Sequence, residues 1–139
     1  GSDYAANASL FMDAFGGSDG IVLQRPLSPP TRELVDNYLF ALDRGADFCR
    51  RHDATLVLVY FPCYPQVYDP SSSMEMRDIL AHASTTLAIP FVDLTPALRE
   101  AGRGQVLHLA PVAFHPHPSG NDAIARAAAV SLASQHLLG

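Results

Sequence analysis

Two histidines stand where an imidazole can move a proton. The stretch Phe114-His115-Pro116-His117-Pro118 sets them two residues apart, with proline on both sides of His117. An imidazole titrates near neutral pH and can accept a proton from a hydroxyl. Proline narrows the backbone around the ring and holds its position. The same pair suits a zinc ion, since His115-x-His117 puts both rings on one side of an extended segment. A third ligand would then come from His108 or Asp122. A plain role in a loop and a helix cap competes with both readings. The remaining histidines read as structural. His52 and His82 fall in helices beside polar neighbours, and His136 falls in a last helical turn, where positive charge suits the dipole. His108 sits in an apolar run and reads as a hydrogen-bonded core histidine. Cys49 and Cys63 form no metal-binding pattern and read as buried thiols.

The elements that position these residues follow from spacing and punctuation. Ser28-Pro29-Pro30-Thr31 is a helix start, with proline in the first turn. Leu34, Val35, Tyr38, Leu39, Leu42, Ala46 and Cys49 then recur at helical spacing, and Arg50, Arg51 and His52 close the helix. Thr55 to Phe61 is continuously apolar and β-branched, as a strand covered on both faces is. Cys63 to Ser71 reads as a loop. Ser72-x-x-Glu75 is a capping box, which predicts a helix over 73–87 with Met76, Ile79, Leu80, Ala83 and Leu87 buried. Ile89 to Leu94 reads as a second strand, and Thr95-Pro96 opens a short helix ending at Gly102. Ile21 to Leu23 and Val106 to Leu109 read as short strands or extended segments. Ser119-x-x-Asp122 caps a last helix over 120–137. Helix, strand, helix, strand, helix is the order of an α/β fold with parallel strands. In such folds sites form beyond the carboxyl ends of the strands.

The block His115-Pro116-His117-Pro118-Ser119-Gly120-Asn121-Asp122-Ala123-Ile124-Ala125 resembles the C-terminal block of SGNH (GDSL-type) hydrolases. In that block a histidine and proline precede a glycine and a helix rich in small residues. His115 and Gly120 match its spacing. Leu56 to Tyr68 and Phe91 to Leu94 are similar to strand and loop segments of alginate-acetyltransferase-like members. The resemblance covers about residues 50–137. It implies a three-layer αβα, flavodoxin-like fold with a parallel sheet of about five strands. It implies an ester hydrolase or acyltransferase acting on an acyl ester of a carbohydrate or lipid, with His115 as general base and no cofactor. Gly1-Ser2-Asp3-Tyr4 matches the family's Gly-x-Asn-Asp block only at Asp3, and also reads as a cloning remnant.

The chain departs from the family at three points. No Gly-Asp-Ser block supplies the nucleophile, and no second glycine block follows. Val112 and Ala113 occupy the places of the acid before His115. Losing such an acid costs up to about 10⁴ in rate in serine proteases, because it fixes the histidine tautomer. Asp93 on a neighbouring strand, and His117, are the supporting candidates. The expectation is therefore one α/β domain over residues 1–139 that forms the C-terminal part of an SGNH-like domain, incomplete at its N-terminus. A catalytically inactive binding or assembly module is the alternative. The uncovered strand edge calls for a complementary N-terminal segment or a homodimer.

Composition removes other classes. The chain has 139 residues, a net charge of −5, nine arginines and no lysine, which disfavours nucleic acid as a partner. At 48% hydrophobic and 17% charged, it has the makings of a core. The longest apolar run, Leu56 to Phe61, is far below the roughly 18–20 residues of a membrane helix. No basic stretch leads into an apolar one as in a signal peptide, and the compartment is left open. No glycine-rich phosphate loop follows either strand, which disfavours a receiver or flavin-binding domain.

Overall fold

The computed structural model describes residues 19–108 and 115–138. It is mixed α/β and mostly helical, with a two-stranded parallel sheet. A 3₁₀ turn at Asp19–Leu23 stands where Ile21 to Leu23 read as strand or extended chain.

Helix α1, Pro29–Arg51, starts as its sequence dictates. The Ser28 Oγ accepts the Thr31 N–H at 3.4 Å, and Pro29 and Pro30 fill first-turn positions whose N–H would have no partner. Arg50 and Arg51 occupy the last turn. Only Thr31, Val35 and Ala46 are buried along its 23 residues. Leu34 and Tyr38, expected in the stripe, are 60% and 49% exposed.

Strand β1, Leu58–Tyr60, is shorter than the apolar run that contains it. Pro62 stops it, and a five-residue helix α2, Tyr64–Tyr68, follows in place of the expected loop. Helix α3, Glu75–Thr86, has Met74 at its N-cap. The expected capping box from Ser72 does not form: the Ser73 Oγ accepts the Glu75 N–H, and the Glu75 carboxylate accepts from the Leu27 N–H and from Arg32. Strand β2, Phe91–Asp93, pairs parallel to β1 with Leu58, Val59 and Tyr60 beside Phe91, Val92 and Asp93. Helix α4, Thr95–Gly102, and helix α5, Pro118–Ser134, complete the chain. Of Val106 to Leu109, read as a strand or an extended segment, the described residues 106–108 join neither strand and make one antiparallel bridge, His108 to Pro116.

The core sits on one side of β2. Val67, Val92, Leu94, Leu98 and Leu107 form it, with Ala123, Ile124 and Leu132 of α5 packed against them. Asp93 points to the other side and meets Arg77 of α3. Helices thus touch β2 from both faces. The sheet itself holds two strands among the described residues, against the five or so expected. On the α3 side, Arg32 of α1 reaches Glu75 and Arg50 reaches the Leu87 carbonyl, so α1 and α3 run side by side in the same direction.

Candidate functional site

The Gln135 Nε2 at the end of α5 donates to the Phe91 carbonyl at the start of β2, at 3.2 Å. Helix α5 therefore runs back along the sheet, and its N-terminus lies toward the carboxyl end of the strands. That is where an α/β fold collects functional groups, and it is where His115 and His117 enter.

His117 is the N-cap of α5, with Pro118 at the first helical position. Its Nδ1 accepts the Ser119 N–H at 3.3 Å and lies 2.9 Å from the Ser119 Oγ. The sequence places the cap at Ser119; proline's preference for the first helical turn moves the cap back to His117. Ser119 instead donates its hydroxyl to the Val106 carbonyl. A hydroxyl has one proton, so this serine is engaged in a tie between the helix and the 106–108 segment. His117 adds a second tie, its N–H donating to the Leu107 carbonyl at 2.8 Å. Gly120 permits the approach, because a Cβ there would stand 2.0 Å from the Leu107 oxygen.

His115 is exposed. Among the described residues no hydrogen bond or ion pair holds its ring, and no serine reaches it. His108, by contrast, is buried. Tyr64 and Tyr68 meet its ring edge-on at 5.3 and 5.6 Å, and the Tyr68 hydroxyl lies 3.4 Å from its Nδ1. That hydroxyl also accepts the Leu107 N–H at 3.0 Å. Burial pushes the His108 pKa down to about 4, so the ring is neutral at neutral pH. The structural reading of His108 agrees with this setting.

Asp93 ends β2. Its Oδ1 accepts the Thr95 N–H at 2.8 Å and its Oδ2 accepts from the Arg77 Nη1 at 2.9 Å. Burial works to raise its pKa, but Thr95 and the Arg77 guanidinium outweigh this and hold it below the usual carboxylate range. No hydrogen bond joins Asp93 to His115 or His117 among the described residues. Beside it in register, Tyr60 donates to the Gln66 Oε1 at 2.8 Å. Burial pushes the Tyr60 phenol up to about 12, against the opposing Gln66 bond, so it stays protonated.

Gln66 is a residue the sequence did not single out. It is fully buried. Its Oε1 accepts from Tyr60 and from the Cys63 N–H at 3.1 Å, and its Nε2 donates to the Ser73 carbonyl at 2.8 Å. The Arg99 Nε donates to its main-chain oxygen. One amide thus joins β1, the turn after it and the entry to α3. A glutamine between two turn prolines gives no sequence signal of this.

The sequence candidates therefore separate. His115 and His117 share one arm, and Asp93 lies on β2 with partners of its own. Asp3 lies outside the described residues, as do Val112 and Ala113. Among the described residues no three His, Cys, Asp or Glu side chains gather as a metal would require, so the proposed His115, His117, His108 or Asp122 set is not assembled. Cys49 and Cys63 are half-buried and form no disulfide with each other. No helix among the described residues is long and apolar enough to cross a membrane.

Comparison with protein-family models, with curated proteins and with solved structures gives no match. The resemblance to SGNH hydrolases therefore rests on the residues of this chain alone.

Proposed function

We propose that this chain carries the histidine-bearing part of an SGNH-type acyl-ester site, within a three-layer αβα domain. His115 is the general base for a serine that the described residues do not supply. The reaction is hydrolysis or transfer of an acyl group on a carbohydrate or lipid ester. The observation that supports this reading is placement. His115 is exposed, one bridge away from the capped start of α5, toward the carboxyl end of a parallel sheet. A base must be reachable by substrate and fixed by scaffold, and the ties at His117, Ser119 and Gly120 supply the scaffold. Backbone N–H groups would stabilise the oxyanion of the tetrahedral intermediate.

A second reading is a catalytically inactive binding or assembly module. Two observations favour it: Ser119 is held by Val106, and Asp93 is held by Arg77. One assay separates the two. The whole chain is incubated with short-chain nitrophenyl esters beside a His115→Ala variant. Turnover above that of free imidazole, falling at least tenfold in the variant, supports the base. Equal rates exclude His115, and no turnover in either excludes an ester hydrolase that is complete within these 139 residues.

A further inference from the structure

Residues 106–108 form a clip between α2 and the start of α5. On the α5 side the ties are to main chain. The Val106 carbonyl accepts from the Ser119 hydroxyl, the Leu107 carbonyl accepts the His117 N–H, and His108 bridges Pro116. On the α2 side the ties are to two tyrosines. The Leu107 N–H donates to the Tyr68 hydroxyl at 3.0 Å, and the His108 ring stands at 89° to the Tyr64 ring and 73° to the Tyr68 ring.

This setting suits a neutral imidazole and no other. His108 is 5% exposed. The titratable groups that α2 turns to it are the Tyr64 and Tyr68 phenols. On the α5 side, His117 keeps its Nδ1 on Ser119. Residues 109–114 carry no titratable side chain. Among the described residues burial alone shifts the ring, with no carboxylate to offset it. A proton placed on it there loses hydration and gains no counter-charge. Away from α2 the same imidazolium is hydrated.

We propose that the contact between this clip and α2 is an acid-sensitive latch. Protonation of His108 favours a locally opened form in which residues 106–108 leave α2. The bridge to Pro116 makes the segment that bears His115 move with them. The neighbours stay in place because each has anchors of its own. Gln66 ties α2 to β1 and to the entry of α3, and Ala123, Ile124 and Leu132 hold α5 on the core. The clip has no strand partner among the described residues. Opening exposes the Leu107 side chain, which keeps the opened form rare at neutral pH. With the ordinary value of 6.5 for the open ring and about 4 for the closed one, the opening constant rises about 20-fold from pH 7 to pH 5. As regulation of an ester site the latch rests on the acyl-ester reading. As an opening of the fold it does not.

Amide hydrogen exchange of the 139-residue chain at pH 7 and pH 5, expressed as protection factors, tests it without substrate. The Leu107 amide, bonded to Tyr68, is expected to lose about 20-fold in protection at the lower pH. The Leu94 amide, bonded to the Tyr60 carbonyl, is expected to lose less than about threefold. His108→Phe should abolish the loss at Leu107. His108→Gln, neutral at both pH values, is the second variant should the first not fold. No loss at Leu107, an equal loss at Leu94, or a loss that the variant keeps overturns the latch. The ester assay can fail with the latch intact, and the latch with the ester assay intact, so the two failures are distinguishable.

Discussion

Burial of His108 between Tyr64 and Tyr68 makes the stability of the chain depend on mildly acid pH. In the folded chain the ring stays neutral down to about pH 4, whereas its ordinary value is 6.5. Between these values the unfolded state binds more protons, so stability falls as pH falls from about 6.5 to about 4. Above that window this group contributes no slope. The loss is at most about 3.5 kcal/mol, at about 1.4 kcal/mol per pKa unit. Asp93 acts lower on the scale. Its depressed pKa stabilises the fold above the ordinary carboxylate value, and that contribution disappears as pH falls through the depressed one. A His108→Phe variant separates the two. Its urea midpoint should vary much less between pH 7 and 5 than that of the unsubstituted chain. Equal variation in both would mean that His108 is not the group responsible. The candidate site was legible to the same extent. His115 and His117 announce themselves by proline spacing ahead of a helix. That His117 caps the helix while Ser119 bonds Val106 was not legible, because it depends on where Pro118 sets the first helical residue.

Among the elements, the turn after β1 rests on one buried side chain. Replacing Gln66 by Leu keeps similar bulk but leaves the Tyr60 hydroxyl, the Cys63 N–H and the Ser73 carbonyl without the partners they have now. Each unsatisfied buried group costs about 1–3 kcal/mol. The expected loss is about 3–5 kcal/mol after partial relaxation, read as a urea midpoint. Gln66→Glu is the control, since it keeps an acceptor for Tyr60 and loses the donor to Ser73. The tie at α5 is equally specific. Gly120→Ala would put a methyl against the Leu107 carbonyl, so the arm must shift, at a cost of about 1–3 kcal/mol. Helices α1, α3, α4 and α5 were legible in position from their start signals, although α3 and α5 are capped at Met74 and His117 rather than at Ser72 and Ser119. Helix α2 was not, because five residues hold too little periodicity to separate it from a loop. The strands were legible in position but overdrawn in length. An apolar run shows what is buried, and only a neighbouring strand decides how many residues count as paired.

At the scale of the whole molecule, the core is off-centre. Val67, Val92, Leu94, Leu98 and Leu107 concentrate burial around β2, α2 and α4, with α5 closing over them. Helix α1 is the longest element and buries three residues, while Leu34, Tyr38, Phe40 and Phe48 stay exposed. A long helix gains most of its stability from packing rather than propensity. Its surface ion pairs, such as Arg50 with Asp47, add little. Local opening follows such differences, since elements with few buried contacts exchange their amides at lower free energy. Native-state hydrogen exchange at low micromolar concentration should therefore find the slowest amides at Val92, Leu94 and Leu98. The middle of α1, around Ala41 and Gly45, should exchange through smaller openings. Protection in α1 equal to that of β2 at that concentration would contradict the off-centre core itself. The helix would then be held by contacts beyond those of Thr31, Val35 and Ala46.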